Sequence, residues 1–64
     1  MNTKIKRLSF RIDIPEGYNP DSYISDGIQR TLDNNGIWGG SVLNITEKDR
    51  DGIYTIIIYY KRKD

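Results

Sequence analysis

The side chains available for chemistry are nine carboxylates, ten lysines and arginines, several hydroxyls and one indole; histidine is absent, and so is cysteine. Acid–base and nucleophilic catalysis need groups that converge, and histidine is the side chain most often used to move a proton near neutral pH. The carboxylates Asp13, Glu16, Asp21, Asp26, Asp33, Glu47, Asp49, Asp51 and Asp64 are instead spread along the chain. Ser9, Ser22, Ser25 and Ser41 have no base at a spacing that would activate them. Without thiols there are no disulfides and no thiolate zinc sites. Asp49-Arg50-Asp51-Gly52 has the opening of a calcium loop but lacks the later bidentate glutamate, and it suits a hairpin turn. The sequence therefore predicts a non-enzymatic domain with no catalytic residue, no metal and no cofactor.

Binding chemistry has three candidate carriers. The first is Trp38, inside the unusual segment Asn35-Gly36-Ile37-Trp38-Gly39-Gly40. Glycines that precede a helix cradle phosphate, but these follow one, at the carbonyl end that repels anions. The segment therefore reads as a helix stop and a strand start, with Trp38 covering the end of the core. Exposed, Trp38 would be a partner-binding anchor, since tryptophan is enriched at interface hot spots. The second carrier is a pair of basic triplets, Lys4, Lys6 and Arg7 near one terminus and Lys61, Arg62 and Lys63 near the other. Brought together, they form a nucleic-acid-binding candidate. The third is the run Ile53 to Lys61, apolar on both faces.

These groups must be positioned by a small number of elements. Leu8, Phe10, Ile12 and Ile14 alternate with Arg7, Ser9, Arg11 and Asp13, which predicts a half-buried strand over Arg7–Ile14; Ile5 is out of phase. Asn19 as N-cap, Pro20 at the first helical position and Asp21 beside the helix dipole predict a helix from Pro20 to about Asn34. Ile24, Ile28 and Leu32 form its apolar stripe, and Gly27 on that side implies close approach to a sheet. Gly36 fits the left-handed residue that ends the helix, with Ile37 placed to touch Leu32. A second strand is predicted over Ser41–Glu47, with Leu43 and Ile45 on one face. Lys48 to Gly52 follows as a short hairpin loop with a bulge, and then the third strand, Ile53–Lys61.

A strand–helix–strand crossover leaves the first two strands parallel, and the hairpin makes the third antiparallel to the second. Placing the most apolar strand in the centre gives the expected fold. It is an α+β single β-α-β-β domain over residues 1–64. Its three-stranded mixed sheet has order 1-3-2 and one helix packed on one face. One helix covers one face only, so either Ile53, Ile57 and Tyr59 or Tyr54, Ile56, Ile58 and Tyr60 must face away from it. A chain of 64 residues without disulfide or metal has little stability to spare. Self-association through that open face is therefore expected, together with a macromolecular partner, most simply a protein, contacted by Trp38, Ile53, Ile57 and Tyr59.

The net charge of +1 excludes a globally acidic nucleic-acid mimic and a globally basic binder, leaving local patches. No run approaches a membrane span or a signal peptide, so a cytoplasmic location without membrane contact is expected. Size and an Ile-, Asn- and Lys-rich composition suit an accessory or inhibitor protein of a phage or other mobile element. The β-α-β-β order and length resemble those of the dodecins, flavin-storing oligomers in which an aromatic residue near the start of the second strand stacks on the ligand. That resemblance implies flavin binding at Trp38. The shorter helix, Gly39-Gly40, and Tyr54-Thr55-Ile56 in place of a strand bearing glutamine depart from the dodecin pattern.

Overall fold

The computed structural model describes residues 3–63; Asp64, among the carboxylates named above, lies outside them. Strand β1 (Thr3–Asp13) is followed by helix α1 (Pro20–Asn34), a 3₁₀ turn (Gly39–Ser41), strand β2 (Val42–Arg50) and strand β3 (Ile53–Lys63). The three strands form one sheet in the order β1-β3-β2. Both ladders are antiparallel, which corrects the expectation of a mixed sheet. The outer strands do run the same way, but β3 lies between them and no parallel pair is ever made.

Local chemistry accounts for each boundary. Tyr18 N–H donates to Pro15 C=O at 3.2 Å, with Gly17 at positive φ, and this turn ends the approach to α1. Asn19 Oδ1 accepts from the N–H groups of Asp21 (2.9 Å) and Ser22 (3.3 Å), satisfying two donors the helix cannot use internally. The rings of Tyr18 and Tyr23 meet edge to face at 5.4 Å, an aromatic staple across the helix start. At the other end Gly36 N–H donates to Asp33 C=O and Ile37 N–H to Leu32 C=O, the paired bonds of a Schellman ending. Gly36 has φ +64°, and both Leu32 and Ile37 are buried.

The core lies between α1 and the helix-facing side of the sheet. Ile56 and Ile58 are fully buried, joined by Ile12, Ile24, Leu32, Ile37 and Tyr60. Leu8, Phe10, Ile14, Tyr23, Ile28, Val42 and Tyr54 pack around them. The inward set on β3 is therefore Tyr54, Ile56, Ile58 and Tyr60. A Cβ on Gly27 would lie 2.8 Å from Ile12 Cδ1, so the absence of a side chain there is what lets α1 sit on β1.

Five strand ends differ from the sequence expectation: β1 runs from Thr3 to Asp13, β2 from Val42 to Arg50, and β3 continues to Lys63. β1 begins at Thr3 because Thr3–Lys6 find partners in Lys63–Tyr60, and pairing rather than hydrophobic alternation extends it; Ile5 is 66% exposed there. The hairpin loop is only Asp51-Gly52, both at positive φ (54° and 80°), since Arg50 already pairs with Ile53. That is the two-residue geometry matching strand twist, so β2 runs on to Arg50. The irregularity lies instead between Val42 and Asn44, where Leu43 is inserted. This bulge puts Val42 opposite Tyr60 and Ile45 opposite Ile58, both on the helix side.

The molecule measures 47 × 19 × 14 Å. Eleven-residue strands span about 36 Å, whereas a fifteen-residue helix spans only about 22 Å, so the sheet outruns its cover. Thr3–Ile5 and Lys61–Lys63 form a two-stranded extension past the start of β2.

Candidate binding face of the sheet

The side of the sheet away from α1 can be read row by row, because directly opposite residues of an antiparallel ladder share a face. Along β3 the outward residues are Ile53, Thr55, Ile57, Tyr59, Lys61 and Lys63. Ile53 is flanked by Asp13 and Arg50, and Thr55 by Arg11 and Lys48. Ile57 lies between Ser9 and Thr46, and Tyr59 between Arg7 and Asn44. Lys61 and Lys63 face Ile5 and Thr3 past the start of β2. Ile53 is 39% exposed and Tyr59 37%, while Ile57 is half-buried by its neighbours.

The face is thus a narrow apolar and aromatic column on the central strand with cations on either side. Arg7, Arg11, Lys48, Arg50, Lys61 and Lys63 share it, and Asp13 is the one carboxylate among the described residues there. The opposite charge is sorted to the other side: Glu47 and Asp49 sit across from Ile56 and Tyr54, facing the helix layer. The net charge is only +1, yet the pleat sorts the charges of β2 by sign between the two faces. Sequence reasoning missed this because it treated Glu47 and the Lys48–Gly52 segment as a strand end and a loop. The alternation Glu47-Lys48-Asp49-Arg50 carried the signal, but its meaning depends on the register.

Of the expected site residues, Ile53, Ile57 and Tyr59 come together as that column. The basic triplets do meet at one end of the sheet, with Lys4 opposite Arg62. The pleat divides them, however. Arg7, Lys61 and Lys63 belong to the open face, whereas Lys4, Lys6 and Arg62 belong to the helix side, and they do not form a single patch.

Trp38 does not cover the core; it is 78% exposed. Ile37 fills the buried position, and the 3₁₀ turn, closed by Ser41 N–H to Trp38 C=O at 2.9 Å, folds Gly40 beneath the indole. The ring lies so close over Gly40 that a Cβ there would meet three of its atoms at 2.6–2.8 Å. Trp38, Tyr60, Lys61, Arg62 and Lys63 line a shallow cleft of about 170 Å³. The indole is therefore grouped with the second basic triplet, not with Ile53 and Ile57.

Among the described residues no group of three or more His, Cys, Asp or Glu is placed to hold a metal ion. Among the described residues no helix is long and apolar enough to cross a membrane. Comparison with protein-family models, with curated proteins and with solved structures yields no match to this chain.

Proposed function

We propose that the chain is a non-enzymatic binding domain whose partner is a single-stranded nucleic acid laid across the open face of the sheet. The observation that carries this reading is the register that surrounds Tyr59, Ile57 and Ile53 with six cations and one carboxylate. Single strands are held by a basic track for the phosphates and by aromatic rings on which bases stack, a combination indifferent to sequence. Tyr59 in the row Arg7–Tyr59–Asn44 supplies the ring. Arg11 and Lys48, two outward rows further along beside Thr55, continue the track. Single strands can splay their bases across an open sheet face and stack them on its exposed rings.

Self-association through the same face answers the apolar column but not the charge. It would set six cations of one copy against six of another, at a cost that rises as water is excluded. A polyanion meets the same column with opposite charge.

The test is binding of a labelled mixed-sequence oligonucleotide, followed by anisotropy as salt is raised. About four phosphate contacts give a log–log salt slope near −3, since each contributes about −0.7 on single strands. Arg11→Ala and Lys48→Ala should each flatten the slope by about 0.7, and Tyr59→Ala should weaken binding by about 1–3 kcal/mol with the slope kept. No binding at low salt, or binding that ignores these three residues, would refute the reading. Capture of an acidic protein by the same face, with no oligonucleotide bound, would replace it.

A further inference from the structure

We infer that the free edge of β1 is a dimerisation surface for a second copy of this chain, the two β1 strands pairing antiparallel about a two-fold axis at Phe10. The two outer edges of the sheet are not alike. β2 is defended: it carries the Leu43 bulge, and its charges are of one sign on each face, Glu47 and Asp49 on one and Lys48 and Arg50 on the other. Antiparallel pairing of two β2 edges through that stretch sets like charge against like. β1 has no such interruption. Its ladder to β3 is regular from Thr3 to Asp13, and its other edge is left without a strand.

The sequence of β1 is self-complementary in one register. A two-fold axis normal to the sheet keeps both helices on the same side and centres the pairing on a residue. Centred on Phe10, it places Leu8 against the second copy's Ile12 and Phe10 against its twin, all on the helix side. On the open side it places Arg7 against Asp13, twice by symmetry, and Ser9 against Arg11. Neighbouring centres are worse: Ser9 would oppose Arg7 with Arg11, Leu8 would oppose Phe10 with Lys6, and Arg11 would oppose itself. Opposite-charge and aromatic pairs stabilise such a ladder and like charges weaken it.

Two further observations fit. A groove of about 660 Å³ runs beside Phe10–Asp13, bounded across from them by Tyr23, Gly27 and Thr31, so space alongside this stretch of strand is open. Arg7 and Asp13 also make no ion pair with any described residue, leaving both available. The dimer would be a six-stranded sheet with both helices on one side. Its two basic faces would join into one track, and Lys4 and Lys6 would overhang the paired segment. This association is independent of the nucleic-acid reading.

Sedimentation of the protein without nucleic acid tests it, with circular dichroism to verify folding. Wild type should be a dimer. Arg7→Asp and Asp13→Arg should each weaken it by about tenfold or more, because both symmetric pairs become repulsive. The double variant carrying both substitutions should restore it, since the two charges are then exchanged and opposite signs face each other again across the axis. A wild-type monomer, a dimer indifferent to either single change, or a double variant no better than the singles would overturn the inference. If one single variant fails to fold, the other and the double variant still decide the matter.

Discussion

Ile12 of β1 and Gly27 of α1 touch so closely that the isoleucine's terminal methyl occupies the place a side chain on Gly27 would need, 2.8 Å from an ideal Cβ. Ile12 is itself part of the buried cluster with Ile24, Leu32 and Ile56, so its methyl would have to leave that cluster for the groove along β1 to make room. Gly27→Val should therefore destabilise by about 2–3 kcal/mol through overpacking. Gly27→Ala gains up to about 1 kcal/mol of helix propensity and partly offsets its smaller clash. Urea denaturation of both variants checks the order; equal stability of the valine variant and wild type would contradict the contact.

The Schellman ending gives a second test. With φ +64°, Gly36 has open space around its Cα, so only backbone conformation opposes a side chain. Gly36→Val should cost more than about 1 kcal/mol, since β-branched residues resist this region, and Gly36→Asn distinctly less. A valine variant as stable as the asparagine one would remove the role given to the left-handed cap.

Ile57 and Ile58 are adjacent and chemically identical, yet one faces out and the other is fully buried. Ile58→Ala should cost about 2–5 kcal/mol, by transfer and cavity terms together. Ile57→Ser should cost about 1 kcal/mol, the span of strand propensity, while weakening oligonucleotide binding. A reversal of the two stabilities, measured in urea, would mean the pleat is inverted.

Amide exchange should be slowest from Ile56 to Tyr59, where β3 is bonded on both edges, and faster in β2, whose outer edge meets water. At protein concentrations that favour the β1-paired dimer, part of the Arg7–Asp13 set should slow further while β2 does not change.

Trp38 is the one tryptophan and reports on its own turn. Gly40→Ala must push the indole off the backbone it covers, but the ring is exposed and free to swing. The expected result is a shift in emission and near-ultraviolet dichroism with a stability change under about 0.5 kcal/mol, as for other surface positions. An unchanged spectrum would mean the ring does not rest on Gly40.

What the sequence made legible is what local chemistry decides. The cap at Asn19, the stop at Gly36 with Ile37 folded onto Leu32, the alternation Leu8–Ile12 and the close approach at Gly27 each depend on neighbours in the chain. The central place of β3 followed from Ile56 and Ile58 standing beside Ile57 in one apolar run. Less legible were features set by pairing. The bulge at Leu43 moves Val42 to the helix side, and nothing in Val42-Leu43-Asn44 announces it. The sorting of Lys48 and Arg50 from Glu47 and Asp49 needs the register to have meaning. For Trp38 a large ring invited the reading of burial over the exposed alternative, whereas Ile37 had already taken the buried position and Trp38 is exposed.

The order β1-β3-β2 also has a consequence for how the chain is made. The strand that both others require is translated after them, and β1 pairs with nothing else in the sheet. The β2–β3 hairpin closes over two residues and can form at once, but β1 must be held across the whole intervening helix until β3 emerges. Until Ile56 and Ile58 are clear of the ribosome, Leu8, Phe10 and Ile12 have no strand to lie against. During synthesis β1 is the segment that waits longest for its strand partner.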